Sequence, residues 1–217
     1  MGSAAITKQR ILDAATKEFA RHGIAGARID RIAARSGMSK PMIYTYFDSK
    51  QRLFDAVFDT HVLANSDRVP FSADDLPGYA ARLYDDYLAD PALLRLVLWK
   101  RLELEPEGYL FAGHEGIDRR HLAKIADAQT RGVVRADLEP EDVWSIVLAT
   151  AATWGQNSIA GVATAADPST RHATRREALV KTIRDGLRVR PAGDDAASGG
   201  VRATSTGPQH GAGSRCS

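Results

Sequence analysis

The sequence predicts an all-α protein in two parts, a small N-terminal helix-turn-helix unit and a larger helical body. Three observations carry this. Apolar residues recur at i, i+3, i+4 through segment after segment, and strand-like alternation is nearly absent. Residues 28–50, RIDRIAARSGMSKPMIYTYFDSK, spell a short helix, a glycine turn and a second short helix.

The elements follow in order. Thr7 caps a helix running to about His22, with Ile11, Leu12, Ala15, Phe19 and Ala20 at helical spacing, and Gly23 ends it. A second helix enters at Arg28. Ile29, Ile32 and Ala33 form its apolar face, and Gly37 supplies the left-handed residue that stops it. Ser39 has the chemistry of an N-cap, and Pro41 is tolerated where a helix start needs no N–H. Ile43, Tyr46 and Phe47 then face inward, leaving Lys40, Met42, Tyr44 and Thr45 outside. A short helix with a satisfied inner face and a polar front turn is shaped to enter the major groove of double-stranded DNA. The alternative is a pair of ordinary core helices joined by a turn.

Asp48-Ser49-Lys50 breaks the third helix and caps a fourth, a linking helix over 50–65 with Leu53, Phe54, Val57 and Phe58 as its stripe. Residues 66–71 read as a connection, and Ser72, Asp74 and Asp75 open a helix with Ala80, Leu83, Tyr84, Tyr87 and Leu88 inward. Pro91 starts another, apolar nearly all round through Leu93, Leu94, Leu96, Val97, Leu98 and Trp99, as suits a helix inside a domain. Helices are then expected over 106–131, from Glu141 to about Ala160, and from Pro168 to about Val189. The division is therefore 1–50 for the helix-turn-helix domain, 66–190 for the body, and a tail, 191–217. Gly, Ser, Ala, Thr and Pro dominate the tail, which offers nothing to offset the entropy of ordering.

Charge separates along the chain. Residues 1–60 carry ten Lys/Arg against six Asp/Glu, whereas 61–190 carry seventeen against nineteen. The positive end bears the helix-turn-helix, as phosphate binding requires. No run of eighteen apolar residues and no basic, apolar leader occur, so a cytoplasmic protein without membrane attachment is expected. The single cysteine, Cys216, has no partner for a disulfide or a metal. Catalysis is disfavoured. His114-Glu115-Gly116 lacks the second histidine of a zinc helix, no phosphate-cradling loop follows a strand, and Glu103, Glu105 and Glu107 read as a solvated run. No motif calls for a cofactor.

Three ordered segments, ILDAATKEFARHG (11–23), IDRIAARSGMSKPMIYTYF (29–47) and DSKQRLFDAV (48–57), resemble the DNA-binding domain of the tetracycline-repressor (TetR) family of bacterial transcription regulators. The resemblance implies a homodimer on a palindromic operator, a small organic effector held in the larger helical domain, and repression as the common outcome. It also implies that effector binding tilts the fourth helix and moves the recognition helices off adjacent grooves. Met42 and Thr45 depart from the small polar residue and the polar ring common at these places, so the docking mode carries over and the operator sequence does not.

The residues expected to meet DNA are Arg28, Ser39, Lys40, Pro41, Met42, Tyr44, Thr45 and Lys50. Arg28, Lys40, Tyr44 and Lys50 are assigned to phosphates; Lys40, Met42 and Thr45 are assigned to base edges; Pro41 packs near the backbone or a thymine methyl. One recognition helix reads few base pairs, so two-fold pairing is expected, through Val143, Val147, Ala151, Leu179, Val180, Ile183 and Leu187 of the last two helices. Intrachain packing is the other reading of that stripe. Trp99, Tyr109, His121, Thr150, Trp154 and Asn157 are the candidate effector contacts; taken singly each reads better as core packing, and only as a set do they point to a partly aromatic or lipophilic ligand. A regulator answering to a protein partner and an architectural DNA binder remain as alternatives.

Overall fold

A computed structural model describes residues 2–105, 107, 108, 110 and 115–189. Among them are nine α-helices: α1 Ser3–Gly26, α2 Ile29–Ser36, α3 Lys40–Phe47, α4 Lys50–Arg68, α5 Leu76–Ala89, α6 Pro91–Glu103, α7 Glu115–Thr130, α8 Pro140–Ala151 and α9 Ser169–Leu187. No strand occurs among the described residues, only an isolated antiparallel bridge between Val134 and Arg188. The expected tail, 191–217, and Cys216 lie outside the described residues.

Two apolar clusters organise the helices. The first joins α1–α4 through Ile11, Phe19, Ile32, Ile43, Phe47, Phe54 and Phe58, and Leu96 of α6 enters it. Phe19 and Phe54 meet edge to face with centroids 5.3 Å apart, the geometry ring quadrupoles favour. The second joins α5, α7, α8 and α9 through Tyr79, Leu83, Ile125, Val143, Val147 and Ile183. α6 packs on α1, while α5 runs against α9 and α8.

Local chemistry sets the joints. Gly37 (φ 72°, ψ 21°) ends α2, and its N–H bonds the Ala33 carbonyl. Ser39 caps α3 by accepting the Met42 N–H at 3.3 Å, and Ser49 caps α4 by accepting that of Arg52 at 3.1 Å. Between them Asp48 takes φ 59°, ψ −44°. The Ser49 N–H reaches the Phe47 carbonyl at 2.6 Å, closing a three-residue γ-turn that is sterically strained for any side chain.

Several expected boundaries move. α1 begins at Ser3 behind an N-cap at Gly2, so Thr7 lies inside the helix and does not cap it. α4 runs on to Arg68, because Asn65 and Arg68 donate to Asp86 of α5 at 2.6 and 2.5 Å and so hold the helix beyond 65. α7 begins at Glu115 rather than near 106; α6 stops at Glu103, and Gly108 follows at φ 69°. α8 ends at Ala151, not Ala160. Beyond it the Thr153 and Gly155 N–H groups bond back only three residues, and Gly155 lies so close to α6 that a Cβ there would stand 2.4 Å from Leu94. No helix among the described residues is long and apolar enough to cross a membrane.

Candidate nucleic-acid interface and ligand cavity

α3 presents two faces. Ile43 and Phe47 are buried against the first cluster, whereas Ser39, Lys40, Pro41, Met42, Tyr44 and Thr45 are exposed. Lys40 pairs with Asp30 at 3.1 Å across the turn, both side chains at the surface. The Thr45 hydroxyl donates to the Pro41 carbonyl at 3.0 Å, which leaves its methyl and oxygen lone pairs outward. The result is a short, solvent-facing helix edge with a cation, an apolar thioether and a phenol side by side. That combination suits phosphate oxygens and thymine methyls.

Two contacts behind this edge fix how it is aimed; Lys50 and Arg28 are among the expected DNA contacts, and Glu18 is not. Lys50 was assigned to a phosphate. Its ammonium instead donates to the carbonyls of Ala25 and Ala27 at 3.2 and 3.3 Å, tying the start of α4 to the α1–α2 link. Glu18 of α1 is fully buried. It accepts the Arg28 N–H at 3.1 Å and the Arg31 Nε at 2.7 Å, so a carboxylate from another helix caps α2. Burial by itself raises its pKa, but the Arg31 and Arg28 hydrogen bonds and the Arg31 and His22 charges outweigh this and hold it below the ordinary value. The sequence did carry a signal: Glu18 falls on the same stripe as Ala14, Ala15 and Phe19, a charge where apolar residues belong.

Between α4, α5, α6, α7 and α8 lies a cavity of about 430 Å³, within the range of small-molecule sites. Leu93, Leu94, Val97 and Leu148 give apolar wall; Asn65, Arg101, Asp118, His121 and Asn157 give polar groups. One end is aromatic: Phe71, Tyr79, His121 and Trp144 pack together, edge-to-face and tilted with one stacked pair (Tyr79 and Trp144), centroids 4.4–5.9 Å apart. Burial, helped by the Lys124 and Arg120 charges, lowers the His121 pKa to about 4, so its ring is neutral at pH 7. Its buried Nδ1 has no hydrogen-bond partner. Burial raises Asp118 despite the hydrogen bond from Trp144, and burial likewise pushes up the phenols of Tyr79 and Tyr87. A smaller cavity, about 210 Å³, shares Tyr87 and Leu94 with the first.

Of the expected effector contacts, the structure brings His121 and Asn157 together at the large cavity. Trp154 instead lines the small one, under the Arg175 guanidinium and edge-on to Tyr84. Thr150 lines neither cavity. Trp99 is turned the other way: its indole donates to the Ala20 carbonyl of α1 at 3.3 Å. Tyr109 lies outside the described residues. Asn65, Arg101 and Asp118 line the cavity but were not foreseen, since only the fold brings α4, α6 and α7 together around it.

The expected dimer stripe also needs correction. Val143, Val147, Ala151, Leu179, Ile183 and Leu187 are all under 5% exposed within the single chain, and Val180 is half-buried. The apolar periodicity was real, but α5 and α7 of the same chain cover that face.

Comparison with known proteins follows this division. Residues 11–57 match the family described as bacterial regulatory proteins, tetR family, and residues 75–184 match the family described as tetracyclin repressor-like, C-terminal domain. The chain is 41% identical over 149 residues to the HTH-type transcriptional repressor SCO4008 of Streptomyces coelicolor, covering 67% of this chain and 76% of that protein. It is 32% identical over 143 residues to the HTH-type transcriptional repressor NicS of Pseudomonas putida, covering 61% of this chain and 62% of that one. Among solved structures, the transcriptional regulator SCO4942 from Streptomyces coelicolor superposes with a TM-score of 0.71 at 42% identity, covering 85% of this chain and 99% of that chain.

Proposed function

This chain belongs to the TetR family of bacterial DNA-binding transcription regulators, and from that premise we propose that it is a repressor that binds a palindromic operator as a homodimer and is released by a small organic effector. The observation that carries the DNA half is the split of α3 into a buried side, Ile43 and Phe47, and an exposed edge from Ser39 to Thr45. Arg28, Lys40 and Tyr44 hold phosphates in this reading, and Lys40, Met42 and Thr45 reach base edges. Lys50 acts from behind, as an anchor of the link that carries Arg28. The two relatives that are themselves repressors support the sign of regulation.

The unit 1–50 contacts DNA, α4 links it to the body, and the body from residue 66 senses and dimerises. Pairing uses the outward sides of α8 and α9, where Ile146, Ala178 and Thr182 are exposed. The cavity of about 430 Å³ favours a small organic effector over a protein partner, because a neutral His121 with a free Nδ1 and an aromatic end call for an enclosed, partly aromatic molecule.

Selection of bound sequences from random duplex DNA tests the whole. A two-fold symmetric site is expected, with half-sites about one helical turn apart. Binding to any duplex with no preferred palindrome overturns the reading in favour of an architectural binder.

A further inference from the structure

The end of α1 is broken in an informative way. In an unbroken helix the Ile24 N–H reaches back to the Ala20 carbonyl. Here Gly23 takes φ 70°, ψ −174°, and those two atoms turn outward. Both find partners on α6. The Ile24 and Ala25 N–H groups donate to the Glu103 carboxylate at 2.9 and 2.7 Å. The Ala20 carbonyl accepts from Arg95 Nε at 2.5 Å and from Trp99 Nε1 at 3.3 Å. Glycine is required at the crossing: a Cβ on residue 23 would stand 2.3 Å from Glu103 Oε1 and 2.8 Å from the Trp99 ring. Glu103, read from sequence as solvated, is thus half-buried and committed.

The same link is gripped from its other side, where the Ala25 and Ala27 carbonyls accept from Lys50 of α4. The Ile24 and Ala25 N–H groups therefore belong to α6 and the Ala25 and Ala27 carbonyls to α4, while the Gly26 carbonyl between them accepts from Arg31 of α2. Immediately beyond it Arg28 begins the helix-turn-helix. Arg95, Trp99 and Glu103 lie at i, i+4, i+8, on one face of α6. Leu93, Leu94, Val97 and Arg101, on the opposite face, line the large cavity. One thirteen-residue helix thus touches the cavity on one side and the base of the DNA-binding unit on the other.

We propose that Glu103 is a positioning residue for DNA binding, and that α6 is a second route, beside α4, by which the cavity sets the angle of the helix-turn-helix. A carboxylate holding two backbone N–H groups is a short, charge-assisted clamp. Rolling or sliding α6 against the cavity contents moves that clamp and turns the link about its Lys50 anchor. The inference rests on the two-fold operator reading given above.

The test uses the full chain and an operator selected by the wild-type protein, together with duplexes whose half-site spacing is changed by one and two base pairs. Glu103→Ala is expected to raise hydrogen exchange at the Ile24 and Ala25 amides about tenfold or more, the loss of bonds to a charged group. Peptides from α5, α8 and α9 should exchange as before. The variant should also relax the preference for the wild-type spacing several-fold, and Glu103→Gln, which keeps an acceptor oxygen, should recover part of both. Should Glu103→Ala fail to fold, Arg95→Met removes one donor to the Ala20 carbonyl and is expected to relax the spacing in the same direction. Unchanged exchange at the two amides overturns the clamp. Faster exchange with unchanged spacing preference overturns the positioning role and leaves a brace. A wild-type protein with no spacing preference overturns the operator reading and this inference with it, before any variant is made.

Discussion

Replacing Glu18 by alanine should clearly destabilise the DNA-binding unit, and the structure gives the size of the effect. The carboxylate is fully buried, accepts from the Arg28 N–H and from Arg31 Nε, and is ion-paired with Arg31 Nη2 at 2.5 Å. Deleting it strands a backbone N–H and one side of a guanidinium. Removing one partner of a fully buried charged pair costs about 3–5 kcal/mol, and with Arg31 itself 40% exposed the loss here lies toward the lower end of that range. Domains of this kind have only about 5–15 kcal/mol in hand. Glu18→Gln, which keeps the shape and one acceptor, should lose less, about 1–3 kcal/mol. Urea unfolding followed by Trp fluorescence provides the measurement, because Trp99 donates to Ala20 on α1 and reports on that junction.

The pH dependence adds a second readout. The native pKa of Glu18 is lowered from 4.5, so its stabilisation is complete above that pH and fades as pH falls through the lowered native value. Glu18→Gln should remove this part of the acid sensitivity. A Glu18→Ala protein within 1 kcal/mol of wild type, by ~298 K titration, would refute the claim that this carboxylate holds α2 in place.

Four other outcomes are expected. Lys40→Ala should reduce the slope of log affinity against log salt by about 0.9 for one released counterion, and Tyr44→Ala should weaken binding to all duplexes alike; unchanged binding removes either residue from the phosphate set. His121, with its pKa lowered from 6.5 to about 4, costs stability as pH falls between those values, because the unfolded chain takes up the proton first. His121→Phe should flatten that part of the stability–pH curve by up to about 2 kcal/mol, discounted for a half-buried ring; an identical curve would show that the ring is solvated. Asp48→Val should cost about 1–2 kcal/mol at the γ-turn while Asp48→Gly should not, judged by thermal unfolding; equal melting points would mean that the turn relaxes freely.

Much of the DNA-binding unit was legible because its signals are local. Ser39, Pro41 and Gly37 act within three or four residues of themselves, and the Ile43/Phe47 spacing names its own buried side. What stayed hidden is long-range. Glu103 reaches Ile24 across 79 positions, and periodicity carries no mark of that. The Val143–Leu187 stripe shows the limit from the other direction: spacing tells that a face is covered, never by which chain. Trp99 was read as a pocket aromatic for the same reason, since an apolar helix does not reveal which of its sides meets solvent-sized space. Even α8 was overextended, because the stop at Ala151 depends on Gly155 passing close to Leu94, a contact between two helices rather than a property of one.

The γ-turn at Asp48 has a mechanical meaning. With only Asp48 and Ser49 between α3 and α4, no slack separates the two helices, and they behave as a bent crank. α4 has 19 residues and is about 28 Å long. Its far end, at Val62, Asn65 and Ser66, forms part of the cavity wall. A displacement of about 2 Å there, against a radius of that length, is a rotation of about 4° at the crank. Strain stored in a single residue thus serves as stiffness, and a flexible glycine hinge in its place would let the two helices turn independently.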